Sequence, residues 1–250
     1  MMDVMHTASG SRQSFRDERG QGTIVFDPAR LQQATPALFD PLAYGPQAQP
    51  VRGQGGRGAA WFVHGEFGDG VLRHYRRGGW MARVSEASYL WQGEARVRSL
   101  REYQLLQALR GMGLAVPAPI AAWYQRQGGR YRAAIIVERI AGASSFAAQV
   151  NAVGAAADWG AVGREIGRCH RHGGHHADLN AHNLLLDGAG AVFLIDWDKG
   201  RLERASGHWC RRVLDRLQRS LRKECPAQPG ELIAQGMAVM RAAHDRELSA

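Results

Sequence analysis

The sequence predicts an α+β chain in two lobes, an antiparallel-sheet N-terminal lobe followed by a reduced, mainly helical C-terminal lobe. Three observations lead there. Short apolar runs separated by glycine turns, with one helical stretch among them, occupy the chain up to Glu138. Helical apolar spacing dominates afterwards. The second half also carries an acid, an amide and another acid in fixed order, Asp178, Asn183 and Asp196. The expected division is a flexible tail over 1–22, an N-terminal lobe over 23–138 and a C-terminal lobe over 139–250.

The elements follow in order. Met1 to Gly22 is polar and lacks the apolar middle of a secretion signal, hence the tail. Ile24-Val25-Phe26 predicts a short strand. Gly53-Gln54-Gly55-Gly56-Arg57-Gly58 precedes the apolar run Ala59 to Val63. A glycine-rich turn between strands can bring backbone N–H groups close to phosphate, so Gly55, Gly56 and Gly58 are candidate nucleotide contacts. A glycine cluster by itself serves equally well as a plain turn. A hairpin turn is expected at Asp69-Gly70, then the strand Val71 to Tyr75. Glu94 to Arg110 predicts a helix, with Val97, Leu100, Tyr103, Leu106 and Leu109 near helical spacing and Gly111 and Gly113 as its stop.

Gly128-Gly129 predicts another hairpin turn, and Ala133 to Val137 a fully buried strand ending at Glu138. Trp159 to His172 predicts a helix closed by Gly173-Gly174. Two apolar runs, Leu184 to Leu186 and Ala191 to Asp196, flank a turn at Asp187-Gly188. Ser206 to Glu224 is amphipathic: Val213, Leu214, Leu217 and Leu221 form its apolar stripe, Arg212, Arg216, Arg219 and Lys223 its basic one. A last helix covers Gly230 to Glu247.

Composition narrows the function classes. The net charge is +9 and the isoelectric point near 10.2, which favours an anionic partner such as nucleic acid, acidic lipid or a phosphorylated substrate. The only lysines are Lys199 and Lys223, so a phosphate loop built on Gly-Lys is excluded. The three cysteines are far apart with no C-x-x-C spacing, which favours a reducing compartment and no structural zinc. No uninterrupted apolar stretch is long enough to predict a transmembrane span.

The chemistry lies in His176-Ala177-Asp178-Leu179-Asn180-Ala181-His182-Asn183 and in Leu194-Ile195-Asp196-Trp197-Asp198. The first has the spacing of the kinase catalytic loop, H-R-D-L-x-x-x-N, with Ala in place of Arg. The second is an apolar strand delivering an Asp, as the D-F-G segment does. Asp and Asn also mark ordinary turns, but here helix, loop, hairpin and acidic terminus come in the order of a kinase C-lobe. On that reading Asp178 orients the attacking hydroxyl and receives its proton, and Asn183 and Asp196 hold Mg²⁺ on the phosphates of ATP. Arg73 takes the place of the strand lysine, Glu102 reaches back to it, and Glu138 falls at the hinge where the adenine edge meets backbone. His176 is expected to brace the loop through a backbone hydrogen bond rather than to bind metal.

These segments, with Val71 to Gly79, resemble the bacterial lipopolysaccharide kinases, and within them the kinases of 3-deoxy-D-manno-octulosonic acid (Kdo), over roughly residues 25–225. Trp197 stands where that family more often has Phe, and Lys199 where Arg is usual. The resemblance implies a two-lobed protein-kinase-like fold with ATP in the interlobe cleft. It further implies transfer of the ATP γ-phosphate to the 4-hydroxyl of the Kdo sugar of Kdo–lipid IV(A), at a peripheral position on the cytoplasmic face of the inner membrane. Arg76 and Arg77 are candidates for the sugar carboxylate or lipid phosphates. A long peptide-binding platform after Asp196 is missing, which favours a small hydroxylated or lipid-linked acceptor. The alternatives are a kinase of the same architecture acting on a core heptose or free small molecule, and a non-catalytic basic module for RNA or membrane. The carboxylates argue against the last, and no nucleic-acid partner is expected.

Overall fold

The computed structural model describes residues 10–51, 60–75, 88–204 and 207–250. The chain forms two compact units, one of residues 1–107 with 118–139, the other of residues 108–117 with 140–250.

The first unit is built on an antiparallel sheet. Its strands are β1 (Ser11–Asp17), β2 (Gly20–Phe26), β3 (Gln49–Pro50), β4 (Ala60–Gly65), β5 (Gly68–His74), β6 (Tyr89–Leu90), β7 (Pro119–Gln127) and β8 (Arg130–Glu138). They lie in the order β1-β2-β7-β8-β5-β4-β3, with β6 beside β8. Central β8 is buried through Ala133, Ala134, Ile135 and Ile136, as its unbroken apolar run demands. Ile24, Leu72, Ile120 and Ile136 close the core beneath it.

Two expectations fail here. The supposed tail contains β1, paired with β2 from Ser11↔Phe26 to Asp17↔Gly20, so ordered structure begins well before residue 23. β1 is an edge strand with most of its side chains exposed, and Phe15 is its only large apolar residue. Backbone bonds hold it, helped by Arg12 on Glu94 and by Gln125 Nε2 donating to Asp17 at 2.7 Å. Neither kind of contact leaves an apolar period in the sequence. The hairpin turn, meanwhile, lies at Glu66-Phe67, not at Asp69-Gly70. Those two residues belong to β5, paired with His64 and Val63. Gly68, at φ +85, supplies the left-handed backbone next to the turn.

Helix α1 (Arg98–Gly111) begins in the first unit and ends in the second. A short 3₁₀ turn, Glu94–Arg96, precedes it, and Gly113 follows it at φ +75.

The second unit holds α2 (Phe146–Val153), α3 (Trp159–Arg171), α4 (Gly207–Glu224) and α5 (Gly230–Ser249). Asp158 caps α3 by accepting the Ala161 N–H at 2.8 Å. α3 and α5 meet almost backbone to backbone. A Cβ on Gly163 would stand 2.2 Å from the Met240 carbonyl oxygen, and one on Gly236 would enter the Trp159 ring. Against these helices lie short strands: β9 (Ser144–Ser145), β10 (Gly174–His175), β11 (Leu184–Leu186), β12 (Val192–Leu194) and β13 (Arg201–Leu202). β11 pairs with β12 and β9, and β10 with β13. No helix among the described residues is long and apolar enough to cross a membrane.

Candidate active site

Hydrogen bonds draw the loop between β10 and β11 into one shape. The Asp178 carbonyl accepts Nδ2 of Asn183 at 3.1 Å and Nδ2 of Asn180 at 3.2 Å. Asn180 Oδ1 in turn accepts the N–H groups of His182 and Asn183. With its Nδ2 committed, buried Asn183 keeps its amide oxygen for another partner. Beneath the loop, His176 Nδ1 accepts the Asp178 N–H at 3.3 Å, so its Nε2 carries the proton given to the Ile195 carbonyl at 2.8 Å. Burial lowers the pKa of His176 and favours the neutral ring that this bonding requires.

The register of β11 and β12 brings the amide and the second acid together. Leu184 faces Leu194, and one step on the Ile195 N–H donates to the Asn183 carbonyl at 3.0 Å. Asp196 is therefore next to the strand position opposite Asn183. It is the one non-glycine residue with positive φ among those described, at +63. Such a conformation costs about 1–3 kcal/mol and persists only where surrounding structure imposes it. Trp197 does so from below: it is buried, donates Nε1–H to the Leu194 carbonyl at 2.9 Å and packs on His176. An amide oxygen and a carboxylate on adjoining strand ends are hard donors that fit Mg²⁺.

Helix α4 runs along the loop. Arg216 pairs with the Asp178 carboxylate, Ser220 Oγ accepts the Ala181 N–H at 3.1 Å, and Glu224 meets His182 Nε2 at 3.1 Å. These contacts recur at four-residue spacing, one helical turn apart. Arg216 appeared in the sequence only as part of a basic stripe. Its tie to Asp178 has no local signal.

In the first unit, Arg73 Nη2 lies 2.6 Å from both oxygens of Glu102, which is 3% exposed. The Tyr75 hydroxyl donates to the same carboxylate, and Arg73 also lies over the Tyr75 ring. The expected basic–acidic pair forms; Tyr75, two residues along the strand, was missed. Glu138 makes contacts within the first unit. Its N–H donates to the Ala118 carbonyl at 2.8 Å and its carboxylate pairs with Arg30 at 2.9 Å. That N–H is committed to the Ala118 carbonyl, so an adenine edge at the expected hinge would meet other backbone groups. Gly55, Gly56 and Gly58, with Arg76 and Arg77, lie outside the described residues.

Three further histidines, His170, His175 and His244, are buried. His175 gives Nδ1–H to Glu203 at 2.9 Å and stacks on Trp209. His170 Nδ1 and His244 Nε2, close to Cys210, stand 2.9 Å apart. Two imidazole ligands of tetrahedral zinc would be about 3.3 Å apart. Asp245 takes the Nδ1–H of His244 at 2.8 Å, which leaves Nε2 to accept from His170. The chain of donors is complete without an ion.

A sheet-rich unit with an Arg–Glu pair on a buried glutamate, and a helical unit presenting acid, amide and acid on a braced loop and a strand end, define a kinase-like phosphotransferase. Residues 44–237 match the lipopolysaccharide kinase (Kdo/WaaP) family. The chain is 49% identical over 230 residues to the 3-deoxy-D-manno-octulosonic acid kinase of Stenotrophomonas maltophilia strain K279a, covering 92% of each. It is 48% identical over 220 residues to that of Xanthomonas campestris pv. campestris strain B100, covering 88% of each. Among solved structures it is similar to WaaP in complex with acyl carrier protein, with TM-score 0.51 and 15% identity over 90% of this chain and 98% of that one, a likeness of fold alone. The chain belongs to the lipopolysaccharide kinase (Kdo/WaaP) family and is an ATP-dependent phosphotransferase. The identities of its relatives support Kdo kinase activity.

Proposed function

We propose that the chain transfers the γ-phosphoryl group of ATP to the 4-hydroxyl of the Kdo sugar in Kdo–lipid IV(A). The observation that carries the reading is the posture of Asp178. Its backbone is clamped by Asn180, Asn183 and His176, while its carboxylate remains half exposed. A side chain so placed can accept a hydroxyl proton from an incoming substrate. The sugar oxygen forms a bond to the γ-phosphorus, the bond from that phosphorus to the β,γ-bridging oxygen breaks, ADP leaves, and the proton passes to Asp178. Asn183 and Asp196 are the residues that would hold Mg²⁺, which when bound neutralises charge on the phosphates. Arg73, fixed by Glu102, is the cation the sheet unit offers to phosphate.

A peripheral place on the cytoplasmic face of the inner membrane fits this acceptor. Arg212, Arg219, Arg222 and Lys223 are exposed along α4. Each such charge near anionic headgroups contributes about 1 kcal/mol.

The test is a labelled-ATP assay with purified Kdo–lipid IV(A), free Kdo and a heptosylated acceptor, followed by determination of the phosphorylated carbon. Phosphate at C4 of the lipid-linked sugar supports the reading. Preferential labelling of the heptose, or of another carbon, refutes it. Salt-sensitive sedimentation with anionic vesicles tests the membrane position.

A further inference from the structure

The ion pair between Arg216 and Asp178 is not required by phosphoryl transfer, and at first sight it opposes it. The guanidinium occupies a carboxylate oxygen that an attacking hydroxyl would otherwise approach. Yet the position of Arg216 beside Asp178 is built in. Ser220 and Glu224 fasten the next two turns of α4 to Ala181 and His182, so the backbone that carries Arg216 is fixed along the catalytic loop. Both Arg216 and Asp178 have half-exposed side chains, so an incoming ligand can reach either. Arg212, one turn earlier on the same line, is exposed and extends the cationic edge.

We infer that Arg216 reads the carboxylate of the acceptor sugar, and that this exchange unmasks Asp178. The inference rests on the proposal that the acceptor is the Kdo residue of a lipid. In such an ulosonic acid the carboxyl carbon and the C4 hydroxyl are only a few bonds apart. A hydroxyl seated on Asp178 therefore places the carboxylate within a few ångströms of the guanidinium that touches Asp178. Arginine's planar fork matches a carboxylate through two parallel N–H···O bonds. Without acceptor it holds Asp178. With the acid sugar bound it exchanges one carboxylate for another, and the Asp178 oxygen is released to accept the hydroxyl. Water and neutral alcohols bring no anion to exchange, so they meet a base still held by its arginine. The pair thereby selects acidic acceptors and restrains idle hydrolysis of ATP.

The test uses the full chain, ATP and two probes: Kdo–lipid IV(A), and the same compound with its sugar carboxyl methylated. Wild-type enzyme is expected to lose at least about tenfold in kcat/KM on the ester, the scale of one hydrogen bond to a charged group. Arg216→Gln is expected to raise KM for the free acid by at least about tenfold, leave KM for ATP nearly unchanged and treat acid and ester alike. Its acceptor-free ATP hydrolysis should rise, and Arg216→Lys should restore part of the preference. Retention of the full acid preference by Arg216→Gln overturns the inference, as does a loss confined to kcat with that preference intact. Equal turnover of both probes by the wild type overturns the inference alone. Failure of the wild type to phosphorylate either probe brings down the acceptor assignment as well.

Discussion

His176 joins the two acidic ends of the site: its Nε2–H is donated to the Ile195 carbonyl at 2.8 Å, while its Nδ1 accepts the N–H of Asp178. One buried ring thus sets the spacing between the loop that carries Asp178 and the strand end that carries Asp196. We predict that His176→Ala lowers kcat by about ten- to a hundredfold, or about 1.4–2.7 kcal/mol, and raises the Mg²⁺ concentration needed for half-maximal rate. Steady-state kinetics at graded Mg²⁺ check this. A lower thermal midpoint with unchanged kcat and Mg²⁺ dependence would reduce His176 to a packing residue.

Asp196 offers a separation of stability from function. Its φ of +63 suits glycine better than any residue with a Cβ. Asp196→Gly should therefore be more stable than Asp196→Ala by about 1 kcal/mol, while both lose the stabilisation that Mg²⁺–ATP gives the wild type. Thermal denaturation with and without Mg²⁺–ATP reads both quantities. A Mg²⁺–ATP shift retained by either variant would remove Asp196 from the metal site.

Arg73 and Glu102 form a nearly buried pair, and breaking one side strands the other. Glu102→Met alone is expected to cost about 3–5 kcal/mol, whereas Arg73→Met with Glu102→Met should recover much of that loss. Nucleotide binding should not recover with it. Denaturant unfolding and ATP titration on the wild type, the single variant and the double variant distinguish the outcomes. A double variant that binds ATP as the wild type does would show the pair to be structural.

Much of this architecture was legible because it rests on local patterns. The β8 run, the β7–β8 turn at Gly128-Gly129 and the α3 and α4 stripes are written in apolar spacing and glycine punctuation. The loop from His176 to Asn183 was legible through its spacing, and the bond from His176 to backbone followed from its place in that motif. The missing parts depend on distant partners. β1 is a polar edge strand defined by its neighbour, the Arg216–Asp178 pair spans 38 positions, and Tyr75 joins Glu102 across 27. α2 is short, and the sequence did not mark it as a helix; its Ser145 cap and its buried Phe146 become telling only once the Trp159 ring is placed against Phe146. Glu138 shows a different limit: strand periodicity located it, but not which of its groups the sheet would consume.

Stability should also depend on pH through His170. Burial, reinforced by neighbouring His244, lowers its pKa from 6.5 to about 3. Between those values the unfolded chain binds the proton and the native state refuses it, so stability falls as pH falls. One such group gives a slope of up to about 1.4 kcal/mol per pH unit. Burial shifts His176 and His182 the same way, so the wild-type slope includes them. His170→Gln is expected to flatten the dependence between pH 6 and pH 4 by up to about one proton's worth. Unfolding curves across that range check it, and an unchanged slope would contradict the assignment.

The most direct test of the account is the turnover of Asp178→Asn in the labelled-ATP assay with Kdo–lipid IV(A), alongside its affinity for Mg²⁺–ATP. A positioned general base contributes about a hundred- to ten-thousandfold to rate. A loss of that size is expected with nucleotide affinity nearly intact, since Asn183 and Asp196 remain. Near wild-type turnover by this variant would contradict it.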